Sequence, residues 1–321
     1  MTLIATASPA RRLDRLAGYA VWIVLALMLV IAGLLSEAFL RPAYLLNLLR
    51  QAAPVGITAA GVTFVMIAGG VDLSVGAVIS AAAVLSAVTM DGRPEMMAPA
   101  LAATLALGLG VGLVNGALAA FSRVSPFILT LGTATAIYGF TLMLSGGTAK
   151  GAVSPGFREV LNARLFGALP VLAVLFVLLA AAAAIVQKKT IFGRSLYLIG
   201  ANRRAAYLSG LPVSAITVAT YALSGVCAAL GGIALLARTG VSSTYAGRGY
   251  EFDVLAAVVL GGTTFRGGEG GVGGTVAGVL VLLIAFNIVN LLGLPFATQL
   301  GLKGVIIILA SAAYEGLRRR A

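Results

Sequence analysis

GVTFVMIAGGVDLSVGAVISAA, from Gly61 to Ala82, is a membrane-grade apolar stretch broken by paired glycines and one carboxylate. A lipid-facing span does not break its helix, because the freed N–H and C=O groups find no water to bond. Even lenient insertion scales put an Asp at mid-helix at about 2.5–3.5 kcal/mol. Gly69, Gly70 and Asp72 therefore lie against other protein or beside a polar path. The stretch belongs to the interior of an all-α polytopic membrane protein.

Composition agrees. Of 321 residues, 60% are hydrophobic and 10% charged, and the mean hydropathy is +1.06. A soluble domain of this length needs far more surface charge. The 41 glycines suit close helix approach in a bilayer, where small residues do the work that hydrophobic association does in water. The net charge of +12 is gathered in short segments between spans, so it reads as an orientation signal and not as a nucleic-acid surface. With no histidine and one cysteine, Cys227, the chain offers no internal disulfide and no His/Cys metal site. Cys227 sits in an apolar span and reads as packing. The first apolar run, Ala17 to Leu35, is long enough to span and lacks a small-x-small cleavage exit.

Working outward from the break, ten spans are expected: Ala17–Ser36, Leu45–Gly69, Ser74–Met90, Met97–Ala120, Pro126–Gly146, Phe166–Val186, Ser214–Arg238, Glu251–Thr264, Val272–Leu292 and Phe296–Tyr314. The eighth is short, and the count drops to six or eight if the broken helices are re-entrant. Arg11, Arg12 and Arg15 precede the first span, and Arg318, Arg319 and Arg320 follow the last. The positive-inside rule then makes the tails 1–16 and 315–321 cytoplasmic, and with them the basic loop 187–213, which carries Lys188, Lys189, Arg194, Arg203 and Arg204.

The second half echoes the first. Pro126-Phe127 with Leu131-Gly132 recurs as Pro295-Phe296 with Leu300-Gly301 at the same interval. A glycine pair precedes each, Gly69-Gly70 and Gly261-Gly262, and Asn115 and Asn287 fall late in a span of each half. Opposite placement of the two PF motifs across the membrane is the pattern of inverted repeats whose broken helices flank a transport path. The polar groups near these features, Ser74, Asn115, Thr130, Thr133 and Asn287, either border that path or bond a neighbouring helix. With Asp72 and Phe127 they form the candidate translocation path.

No catalytic centre is expected. The four lysines, Lys150, Lys188, Lys189 and Lys303, complete no GxxxxGK[ST] loop. GGTTFRGGEGGVGG is glycine-rich without a Lys-Ser/Thr pair, and without histidine there is no Ser/His or Cys/His nucleophile. Asp72, ahead of Leu73-Ser74, reads as a helix cap more than as a proton carrier, and Glu251 and Asp253 open the eighth span where the dipole favours acids.

The loop GRSLYLIGANRRAAYLSGLP, Gly193 to Pro212, contains a short amphipathic run from Asn202 to Ser209. Asn202 can cap it, and Gly210 with Pro212 can end it. Such a run fits either a cytoplasmic linker or a helix docked in a partner's groove, with Ala205 and Ala206 closest to that partner.

From Asn47 onward the chain resembles a permease subunit of bacterial ribose-type sugar ABC importers, within the permease group that includes branched-chain amino-acid importers. GGVDLSVG (Gly69 to Gly76) is the most specific match. It is joined by PFILTLGT (Pro126 to Thr133), the 193–213 loop, GYEFDVLAAVVLGGTTFRGGEGGVGGTVAG (Gly249 to Gly278) and LKGVIIILA (Leu302 to Ala310). Arg266 and Glu269 stand where the family block carries fewer charges. The resemblance implies a bacterial inner-membrane protein working with a second permease, identical or not, with ATP-binding-cassette ATPases that hold the ATP and Mg, and with a periplasmic substrate-binding protein. It implies a coupling helix at Arg194, Asn202, Arg203, Arg204, Ala205, Ala206, Ser209 and Gly210.

The expectation is a single permease domain, 1–321, with no cofactor, metal or catalytic residue of its own, set in membrane lipid and passing a monosaccharide. The alternatives are the same architecture carrying a nucleoside, a furanose signalling molecule or a branched-chain amino acid, an ion-coupled secondary transporter, and a facilitator channel working alone.

Overall fold

The computed structural model describes residues 9–295, 297–302, 304, 305 and 308, with side chains from residue 20 onward. The helices run α1 (Pro9–Leu35), α2 (Pro42–Ile67), α3 (Val75–Met90), α4 (Met97–Phe121), α5 (Pro126–Ser145), α6 (Pro155–Asn162), α7 (Val171–Lys189), α8 (Ile191–Ala201), α9 (Arg203–Leu208), α10 (Val213–Thr239), α11 (Tyr250–Leu260) and α12 (Val272–Leu291). Helix resumes at residue 297. Proline opens α2, α5 and α6 at the first turn, where its missing N–H costs nothing. Phe296, most of the tenth expected span, the tail 315–321 and the first eight residues of the N-terminal tail lie outside the described residues.

Among the described residues six helices are long and apolar enough to cross a membrane: Pro42–Ile67, Pro94–Phe121, Pro126–Ser145, Val171–Lys189, Val213–Thr239 and Val272–Leu291. The other two broken-span helices fall short. At 1.5 Å per residue α3 reaches about 24 Å and α11 about 16 Å. Three boundaries depart from expectation. Helix α1 begins at Pro9, inside the expected tail. The 187–213 loop is itself mostly helical, as α8 and α9. Phe166 does not open the sixth span: it tips an antiparallel hairpin, β1 (Arg164–Leu165) and β2 (Leu169–Pro170), is 97% exposed, and has φ of 52°. The following Gly167, with φ of 73°, closes this tight turn, a signal that hydropathy alone hides.

Helices α2 and α10 form the centre. The apolar windows of these two are 78% and 67% buried, against 22% for α4 and α5 and 28% for α7. The outer helices keep Leu113, Phe121, Ile128, Phe140 and Met143 exposed, as lipid-facing surfaces do. Helix α4 crosses α10 in backbone contact. An added Cβ would lie 2.6 Å from Ala229 Cβ at Gly108, 2.7 Å from Ala222 Cα at Gly112 and 2.7 Å from Val218 Cα at Gly116. That spacing of four residues is the small-residue seam by which membrane helices approach closely.

The two halves are inverted relative to each other. Helices α2, α3, α4 and α5 are followed, in the same order, by α10, α11, α12 and the helix from residue 297. The α2 end bearing Ile67 bonds Gly268, while its Arg50 bonds Asn162 of α6 at the opposite end. Pro126 shares a cleft with Arg203 of α9, whereas Pro295 follows the far end of α12, whose first residue, Val272, bonds Gln187 near α8. The glycine pairs do not correspond as expected. Gly261-Gly262 follows α11, and the segment matching the 68–74 break is 240–249, between α10 and α11. A repeat read from glycine pairs alone misplaces the break because this chain uses glycine at most of its turns.

Candidate functional site

The α2–α3 break gathers a fully buried polar cluster. Helix α2 ends at Ile67, Gly69 turns the chain with φ of 79°, and α3 starts at Val75. Between them Asp72, 1% exposed, accepts three bonds: from the Ser74 N–H at 3.0 Å and the Ser74 hydroxyl at 2.6 Å on Oδ1, and from the Ser224 hydroxyl at 2.8 Å on Oδ2. The Asn115 amide donates to Ser74 Oγ at 2.8 Å. Thr130 accepts the Leu73 N–H at 3.1 Å, and the Tyr221 hydroxyl donates to the Val71 carbonyl at 3.1 Å.

The capping role expected of Asp72 takes a particular form. Ser74 occupies the N-cap position without a side-chain cap bond, and Asp72 holds Ser74 by both its N–H and its hydroxyl. A carboxylate just ahead of α3 also faces the positive end of that helix. Two close backbone contacts bring the other partners in: the α4–α10 seam sets Asn115, beside Gly116, against α10, and the approach of α10 to Gly61 of α2, where an added Cβ would lie 3.0 Å from Ser224 Cα, sets Ser224 beside the break.

The second break meets the first. The Gly247 N–H donates to Ser80 Oγ at 2.8 Å, and a Cβ on Gly247 would lie 2.9 Å from Ile79 Cβ. Glu251, in the first turn of α11, accepts the Gly249 N–H at 3.0 Å, with Asp253 in the same turn. The starts of α3 and α11 lie side by side, Gly76 packing against Glu251 and the Gly247 carbonyl, and each helix begins in an irregular segment, α11 with Glu251 and Asp253 in its first turn and α3 with Asp72 ahead of its N-cap. Broken helices with apposed ends in the interior are the arrangement found around transport paths.

Of the seven candidate path residues, Asp72, Ser74, Asn115 and Thr130 come together; Phe127, Thr133 and Asn287 do not. Phe127 is 51% exposed on the surface of α5, and Thr133 bonds back to the Leu129 carbonyl at 3.0 Å. Asn287 accepts from the Tyr44 hydroxyl at 3.1 Å, near the start of α2 and away from the break. The residues missed by sequence reading are Ser224, Tyr221 and Gly247. Ser224 beside Gly225 in a run of small residues was the one available signal.

In the 187–213 segment, Asn202 caps α9, its side chain accepting the Ala205 N–H at 3.0 Å. Gly210 turns the chain at φ of 84°, and the Ser209 hydroxyl donates to the Ala206 carbonyl at 2.8 Å. Arg194, Arg203, Arg204 and Ala205 are exposed. Ala206 is not at the surface: it is 4% exposed and packs in a small apolar cluster with Ile199 and Val213. A one-turn helix must bury one side to be held, and Ala206 is that side. Tyr207 and Leu208, 70% and 75% exposed, are presented instead.

A bundle of apolar helices, broken at two apposed polar segments, is the architecture of a multi-pass membrane permease. Residues 44–311 match the family described as branched-chain amino acid transport system / permease component, and the chain belongs to that family. It is 38% identical over 288 residues to the ribose import permease protein RbsC of Bacillus subtilis (strain 168), covering 89% of each chain. It is 34% identical over 317 residues to the galactose/methyl galactoside import permease protein MglC of Haemophilus influenzae (93% of this chain, 94% of the relative). To the D-allose transport system permease protein AlsC of Escherichia coli (strain K12) the identity is 30% over 295 residues (92% and 90%). No solved structure gives a significant match. The protein is a multi-pass inner-membrane transporter subunit.

Proposed function

We propose that this chain is the membrane-spanning subunit of an ATP-binding-cassette importer and passes a monosaccharide delivered by a periplasmic binding protein. The carrying observation is near full-length similarity to permeases named for ribose, galactose and allose. In this reading both termini are cytoplasmic, segment 187–213 is the coupling loop, and a second permease, identical or not, completes the path. The exposed side of α9, with Arg203, Arg204, Tyr207 and Leu208, docks on a partner ATPase that holds ATP and Mg. The polar cluster at Asp72, Ser74, Asn115 and Thr130 keeps the α2–α3 break in one arrangement at the inner end of the path.

The test is uptake in cells carrying this chain with its neighbouring ATPase and binding protein. Radiolabelled pentoses and hexoses, nucleosides and branched-chain amino acids are compared. Uptake of a monosaccharide that depends on an active ATPase is the expected result. Uptake without the ATPase that collapses with the proton or sodium gradient would refute the importer reading.

A further inference from the structure

Near α9, three glycines from distant parts of the chain meet backbone to backbone. Gly200 lies in the last turn of α8, Gly267 in the turn between α11 and α12, and Gly69 in the α2–α3 break. A Cβ on Gly267 would lie 2.7 Å from the Gly69 nitrogen and 3.0 Å from Gly200 Cα. A Cβ on Gly200 would collide with the Ile67 carbonyl oxygen and the Gly268 nitrogen. The Gly268 N–H donates to that Ile67 carbonyl at 2.8 Å, so the α11–α12 turn satisfies an end carbonyl of α2 that has no partner within its own helix.

The same turn is gripped from α7 and α8. Buried Gln187 donates to the Tyr197 hydroxyl and to the Gly270 carbonyl at 3.4 Å, and accepts the Val272 N–H at 3.0 Å. The Tyr197 hydroxyl donates to the Gly270 carbonyl at 2.8 Å. Past the junction, Gly70 packs against Tyr221, whose hydroxyl bonds the Val71 carbonyl next to Asp72. The covalent route from α9 is softer. It leaves through Gly210, at φ of 84° and with open space where a side chain would stand. Close-packed backbone transmits displacement, whereas a turn surrounded by open space absorbs it.

We propose that Gly69, Gly200 and Gly267 form a stiff junction that carries movement of the α8–α9 segment to the α2–α3 break, with Gln187 and Tyr197 as its positioning residues. The proposal rests on the importer reading above and adds the route by which partner motion reaches the Asp72 cluster.

The test is the amount of cargo moved per ATP hydrolysed by the reconstituted importer, with its ATPase and binding protein present. Gly200→Ala puts a methyl group into the junction while leaving the exposed side of α9 intact. The ATPase should still co-purify and hydrolyse ATP, while cargo per ATP falls about two- to thirtyfold, the range of coupling losses seen along such networks. Tyr197→Phe keeps the ring and deletes one hydroxyl, and should lower the same ratio in the same direction. It decides the matter if Gly200→Ala does not reach the membrane. A wild-type ratio in either variant, or uptake and hydrolysis falling in proportion, overturns the junction. Failure of the wild-type chain to bind any ATPase overturns the importer reading itself and the junction with it.

Discussion

Replacing Asp72 separates the two things its carboxylate supplies, acceptor oxygens and charge. Its three donors, the Ser74 N–H, the Ser74 hydroxyl and the Ser224 hydroxyl, are all neutral. Burying an ionised carboxylate among neutral partners carries a desolvation penalty of several kcal/mol. In Asp72→Asn the amide oxygen can take both Ser74 bonds, and the amide NH2 can donate to a rotated Ser224 hydroxyl. That variant loses charge-assisted strength and sheds the burial penalty, so its stability should stay within about 1 kcal/mol of wild type. In Asp72→Ala the Ser224 hydroxyl can fall back on a carbonyl one turn earlier in α10. The Ser74 N–H has no such recourse and is left buried without an acceptor, a loss of about 1–3 kcal/mol. The expected order is therefore Asn close to wild type, with Ala about 2 kcal/mol lower. Equilibrium unfolding of the purified protein in mixed detergent micelles, followed by helical circular dichroism, measures it. Ala matching or exceeding Asn would show that the acceptor does not hold the break; Asn falling as far as Ala would show that the charge does.

Further expectations follow from the same geometry. Gly112→Leu drives a side chain into the α10 backbone at Ala222 and should cost about 1–3 kcal/mol or more, pulling Asn115 from Ser74 and abolishing uptake; normal uptake from normally expressed protein would contradict the seam. Tyr207→Ala combined with Leu208→Ala removes exposed side chains only, so thermal stability should hold while co-purification of the ATPase drops. Ala206→Trp overfills the cluster with Ile199 and Val213, displacing α9, so ATP-driven uptake should vanish while the chain still inserts in the membrane. Cysteines placed at Ser8 and Arg318 should resist membrane-impermeant thiol reagents in intact cells, and labelling of either from outside would reverse the assigned orientation.

The membrane class, the positions of most spans and the existence of the α2–α3 break are legible in the amino-acid sequence, because bilayer length and the cost of unpaired backbone groups act on local composition. Asn202, Gly210 and Pro212 marked α9 for the same reason: caps and left-handed turns are decided within a few residues. Which polar residues form the cluster was a tertiary decision. Ser224 reaches Asp72 because Gly61 of α2 admits the α10 backbone, and nothing local to Ser224 records that. The inward side of α9 was likewise invisible, since Ala205 and Ala206 are identical side chains until Ile199 and Val213 close over one of them. The true partner of the first break, segment 240–249, was hidden because glycine pairs also mark ordinary turns here. Only the meeting of Gly247 with α3 told one use of glycine from the other: contact between distant segments depends on the packing of whole helices, and no short stretch of sequence holds that information.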